Sequence, residues 1–114
     1  MKDHRKSVRV DANLFISYDI LNKDGNVVQA GMALSEDLSR KGVKIKDRNT
    51  LPVDTSIKIH LAVGEEVVDL VGRVRHVQKV TGSNYQIGVE FDEVEKEMLD
   101  KIVKYYPDIL EEQQ

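Results

Sequence analysis

Every second residue between positions 56 and 63 is apolar. Ile57, Ile59, Leu61 and Val63 alternate with Ser56, Lys58, His60 and Ala62. Successive side chains of a strand point to opposite faces, so this pattern demands a strand with one face buried. The same period recurs along most of the chain. Leu14, Ile16, Tyr18 and Ile20 alternate with Phe15, Ser17, Asp19 and Leu21, and Val43 and Ile45 begin another strand. Val68, Leu70 and Val74 share one side of a long strand over 66–78, and Tyr85, Ile87, Val89 and Phe91 form a last one. Gly72 interrupts the long strand, as expected where a barrel strand bends sharply. Turn signals separate the segments: Arg40-Lys41-Gly42, the 49–55 loop with Pro52, Gly64, and 81–84. Asp24-Gly25 predicts a type I′ hairpin turn, which needs positive φ at both central positions.

After Phe91 the period changes. Val94, Met98, Leu99, Ile102, Val103 and Tyr106 recur at helical spacing, which predicts one amphipathic helix. Asp92 is the expected N-cap, with Glu95 completing a capping box, and Pro107 is the expected stop. Short strands followed by one terminal helix give a mainly antiparallel all-β chain, a small barrel or rolled sheet with the helix packed on an opening or edge. At 114 residues, 40% apolar and 32% charged, the chain reads as one globular domain. Its expected division is an N-terminal basic arm over 1–12, a barrel with its helix over 13–107, and a tail over 108–114.

Several function classes are disfavoured. With no cysteine there is no thiolate nucleophile, disulfide framework or thiolate metal site. Neither a Gly-x-Ser-x-Gly elbow, a phosphate loop nor a His-Glu-x-x-His helix occurs, and three scattered histidines make no ligand set. The adjacent pairs Glu65-Glu66 and Glu111-Glu112 fall in a turn and a tail, where nothing desolvates them for acid catalysis. We therefore expect no enzyme, metal or cofactor. No segment approaches a membrane span and the N-terminus lacks a secretory pattern, so the expectation is a cytoplasmic protein with no membrane insertion.

The polar residues that stand out lie in two places. One is the end of a strand over 27–39, where Asp37, Ser39 and Gly42 supply a carboxylate, a hydroxyl and a flexible backbone within six positions. Strict alternation would put Gly31, Ala33, Ser35, Asp37 and Ser39 on one side as an open, small-residue shelf, with Met32, Leu34 and Leu38 anchored in the core. Glu36 breaks that alternation, as at a bulge or rim. The other place is the arm over 1–10, in which Lys2, Arg5, Lys6 and Arg9 face only Asp3, although the net charge is -3. Positive charge is thus concentrated rather than spread, unlike a general polyanion binder.

Arg5-Lys6-Ser7-Val8-Arg9 fits RxxxR and Asp37-Leu38-Ser39-Arg40-Lys41-Gly42 fits [DN]xSxxG. With Gly72-Arg73-Val74 and the run from Tyr85 to Phe91, these motifs resemble the PilZ domain family over nearly the whole chain. That resemblance implies a six- to seven-stranded β-barrel and binding of cyclic di-GMP through Arg5, Arg9, Asp37, Ser39 and Gly42. The chemistry agrees. An arginine fork pairs with guanine O6 and N7 or with phosphate, and a carboxylate accepts from the N1–H and exocyclic amine of guanine. Ser39 can donate to phosphate, and Gly42 allows a left-handed turn or a close backbone approach.

His4, Arg40, Lys41 and His76 are possible additional contacts, His4 next to the arginine motif and His76 facing a base. The plainer reading makes them solvated surface residues, and His60 is expected to be exposed. The resulting expectation is a receptor whose arm orders on the nucleotide and which, having no room for an output domain, signals through an unidentified protein partner in motility, biofilm or exopolysaccharide control. The alternative keeps the fold but not the ligand, as an adaptor acting through protein contacts alone. A single-stranded RNA binder is disfavoured because Tyr18, Tyr85, Tyr105, Tyr106, Phe15 and Phe91 mostly belong to expected core faces, which leaves no stacking platform and no nucleic-acid polymer as partner.

Overall fold

The computed structural model describes residues 6–80, 82–110 and 112–113. Short strands β1 (Lys6–Ser7) and β2 (Val10–Asp11) precede β3 (Phe15–Leu21), β4 (Val27–Leu38), β5 (Gly42–Asp47), β6 (Ser56–Val63), β7 (Glu66–Lys79) and β8 (Tyr85–Phe91). Helix α1 (Lys96–Tyr105), a 3-10 turn (Pro107–Leu110) and β9 (Glu112–Gln113) follow. The main sheet runs β2-β4-β3-β6-β7-β8-β5, all its pairings are antiparallel, and a further β4–β5 pairing closes six of its strands into a barrel with β2 as an extra strand. The fold is therefore the small antiparallel barrel with one C-terminal helix that the alternation implied.

Apolar alternation fills the interior. Ile16 and Tyr18 of β3, Val43 and Ile45 of β5, four alternate residues of β6 from Ile57 to Val63, and Val68, Leu70 and Val74 of β7 are all buried. Ile102 of α1 and Ile109 of the 3-10 turn join this core, so packing continues past Pro107 into the stretch expected as a tail. The helix begins later than its apolar stripe suggests: its N-cap is Glu95, with no side-chain hydrogen bond, rather than Asp92. The first hairpin also departs from expectation. Gly25 has positive φ but Asp24 does not, and the Gly25 N–H donates to the Asn22 carbonyl, so this is not a type I′ turn. Asn22 Oδ1 accepts from the Asp24 and Asn26 N–H groups and holds the bend from the side.

The expected shelf along β4 does not form. Met32 is 74% exposed and Leu34 is also exposed, whereas Ser35 is buried. The inner side here needs small residues because Tyr18, from the neighbouring strand, lays its ring over Gly31, where any Cβ would strike it. Strict alternation then fails at Glu36, as anticipated. Ser35 pairs with Ile45 and Asp37 with Lys44, which leaves Glu36 as an extra residue. Beyond that bulge Asp37 faces outward and Leu38 enters the core opposite Val43. The described end of the arm is strand rather than loose chain: Val10 pairs with Leu38, and Asp11 with Asp37.

Candidate functional site

Because β2 lies antiparallel against the end of β4, Arg9 arrives beside Asp37 although 28 positions separate them. Its Nε donates to Asp37 Oδ1 at 2.6 Å, Nη2 forms an ion pair with the same oxygen, and Nη1 reaches Ser39 Oγ at 3.4 Å. Lys44, opposite Asp37 on β5, brings its Nζ to 3.6 Å from Oδ2. The carboxylate is thus held by two cations. Its side chain is 19% exposed against 44% for Arg9, so the guanidinium forms the outer layer.

Ser39 is fully buried, and its hydroxyl oxygen accepts from the backbone N–H groups of Lys41 and Gly42, both at 3.2 Å. These bonds close the turn that carries β4 into β5. Gly42 does not take a left-handed conformation; what it supplies is close approach, since a Cβ there would run into the Val89 carbonyl oxygen of β8. Of the two roles anticipated for this glycine, only the second applies.

Beside these residues lies a groove of about 400 Å³, with Arg9, Lys41, Lys44, Arg75 and His76 among its walls and Val43, Gly88 and Val89 beneath. Four cationic side chains face one carboxylate, Glu90, which already accepts from Arg75 Nε at 3.1 Å. Arg75 Nη1 also donates to Asp54 at 3.0 Å. His76 is exposed at this groove, beside a register shift between Val74 and His76. Arg40 is half-buried and lines a neighbouring hollow with Lys41, Phe91 and Leu99. Arg5 and His4 lie outside the described residues.

Sequence reasoning missed Lys44 and Arg75. For Lys44 the signal was present: Val43 and Ile45 point inward, so the residue between them faces out beside Asp37. Nothing local marks Arg75, the residue without a partner on β8 at the register shift between Val74 and His76, which reaches the groove and Glu90 from there.

A second polar cluster sits on the outer surface of β3, β6 and β7. His60 was expected to be exposed, but it is half-buried between two carboxylates, with Nδ1 2.6 Å from Asp69 and Nε2 3.1 Å from Asp19. Hydrogen bonds to Asp69 and then Asp19 raise its pKa above the ordinary histidine value, against the opposing effect of burial. A third polar contact is internal. The Tyr18 hydroxyl donates to Asp47 at 2.5 Å, and burial, with the bond to Asp47, pushes the phenol well above its usual range. Among the described residues no group of three or more His, Asp or Glu side chains is arranged to hold a metal, and no helix is long and apolar enough to cross a membrane.

The family model described as the PilZ domain matches residues 3–106. Among solved structures, the chain resembles the Bacillus subtilis inhibitor of motility MotI/DgrA, with TM-score 0.70 and 16% identity over 91% of this chain and 49% of that one. It also resembles K. pneumonia MrkH in its apo state, with TM-score 0.68 and 19% identity over 92% of this chain and 50% of that one. The PilZ domain of CeSA from a cellulose-synthesizing bacterium matches with TM-score 0.59 and 19% identity over 89% of this chain and 97% of its own. The chain thus spans about half the length of MotI and MrkH. Among curated protein sequences, none matches it.

Proposed function

We propose, from the premise that this chain belongs to the PilZ domain family, that it is a cytoplasmic receptor for cyclic di-GMP which passes the signal on by contact with another protein. The observation that carries this reading is the meeting of Arg9, Asp37 and Ser39 along a cationic groove. Two phosphates need cations, and Arg9, Lys41, Lys44 and Arg75 supply them in a chain of net charge -3. A guanine edge needs a carboxylate acceptor, and Asp37 is one.

In this reading the nucleotide replaces one partner with another. Asp37 is satisfied by Arg9, so a guanine that takes the carboxylate releases the guanidinium to pair with guanine O6 and N7 or with phosphate. Arg9 precedes β2 directly, so its movement changes the surface around β2 and the arm. Arg5 belongs to the same proposal as the second fork, and Gly42 as the position that keeps the groove floor close to β8. His76, Arg40, Lys41 and His4 are secondary contacts. Since MotI is described as an inhibitor of motility, motility is the first process in which to seek the partner.

Calorimetric titration with cyclic di-GMP tests the reading. Arg5→Ala, Arg9→Ala and Asp37→Ala are each expected to weaken binding by about 1–3 kcal/mol. A wild-type protein that binds no better than these variants overturns it. The nucleotide-independent adaptor draws support from the pairing of Asp37 with both Arg9 and Lys44. It predicts instead a partner captured equally well with and without nucleotide.

A further inference from the structure

β4 is paired along its whole length on one side only. Its pairing with β5 stops at Leu34 opposite Lys46, whereas its pairing with β3 continues out to Val27 opposite Leu21. Among the described residues, positions 27–33 therefore present an open sheet edge. Positions 27–30 are all exposed, and Met32 is exposed beyond them.

Natural sheets blunt such edges with lysine, proline or inward charges, because unpaired N–H and C=O groups accept any extended chain. Here the run Val27-Val28-Gln29-Ala30-Gly31-Met32-Ala33-Leu34-Ser35 contains no charge and no proline. One bulge, at Val28 near the hairpin, interrupts it, which leaves 29–33 as a regular edge. An unpaired backbone edge of this kind is complementary to an extended strand.

We propose that this edge pairs antiparallel with the same edge of a second copy of the chain, about a two-fold axis near Gly31. A two-fold interface opposes each residue to its own sequence, so it suits a strand with no charges to set against themselves. In that register Ala30 of one copy faces Met32 of the other, and Gln29 faces Ala33. The outward apolar row continues from Met32 to Leu34 and to Phe15 opposite it, which is 72% exposed. Two such rows brought together shield these side chains from water. The strip is short against the roughly 800 Å² per partner of a stable interface, so the dimer dissociates on dilution.

Sedimentation equilibrium of the whole chain, from micromolar to millimolar concentration, tests the pairing. Wild type is expected to rise from the mass of one chain toward twice that mass. Two double variants sharpen the result: Ala30→Lys with Met32→Lys, and Ala30→Glu with Met32→Glu, both at exposed positions where circular dichroism will report an intact barrel. Each alone is expected to remain a single chain at every concentration, and an equimolar mixture is expected to recover the doubled mass as a heterodimer. A wild type that stays single throughout, doubling that survives unchanged in either variant alone, or a mixture that fails to recover it, overturns the proposal.

Discussion

Asp37 and Asp47 both lie where β4 and β5 come together, and they are held in opposite ways. Asp47 is 6% exposed and accepts from two neutral donors, the Tyr18 hydroxyl and the Asn49 N–H. Asp37 is held by two cations on flexible stems, both of them partly exposed to water. A neutral donor buried with its acceptor has no competing solvent, so that contact belongs to the fold. A cation at the surface exchanges its partner at small cost, so the second contact can be traded for a ligand. Carboxylates of one type on one sheet thus do different work because of where the donor's other face lies.

The largest expected effect falls on the inner pair. Tyr18→Phe removes the hydroxyl but leaves Asp47 buried, and is expected to lower unfolding free energy by about 1–3 kcal/mol in denaturant titration. A loss too small to measure would erase the contrast. The His60 cluster lies between the two cases and gives a pH signature. Its pKa is raised in the fold, so its contribution is complete below the ordinary histidine value and disappears as pH climbs through the elevated one. Over that window wild type is expected to lose stability relative to His60→Gln, by about 0.2–1 kcal/mol, the size of an exposed ion pair. Parallel pH profiles for the two proteins would remove His60 from the account. The smallest effect is expected at Asp37→Ala, which is predicted to change unfolding free energy by less than about 1 kcal/mol. Destabilisation matching that of Tyr18→Phe would show that Asp37 is part of the fold as well.

Strands were legible because period-two burial is a local property: Ile57 to Val63, Val68 to Val74 and Tyr85 to Phe91 read directly from their spacing. The orientation of β4 was not, because it depends on a neighbour. Met32 and Leu34 look like core residues until Tyr18 occupies the space above Gly31, and small residues then belong inside. The first turn failed for a related reason, since an Asn22 side chain replaced the backbone geometry that Asp24-Gly25 suggests. At the candidate site, Arg9, Asp37, Ser39 and Gly42 were visible as motif residues. Lys44 was legible as an outward residue between Val43 and Ile45, but its place beside Asp37 comes from strand pairing, and Arg75 joins at the register shift between Val74 and His76, which no single stretch of sequence encodes.

The unpaired Glu36 decides parity. Before the bulge the odd positions 31, 33 and 35 face inward; after it the even position Leu38 does and Asp37 faces out, because Glu36 adds one residue without a partner on β5. Were Glu36 taken into the ladder as an ordinary paired residue, Asp37 would turn toward the interior and Leu38 out to water, with every residue type unchanged. What keeps the carboxylate facing outward is therefore a count, not a composition.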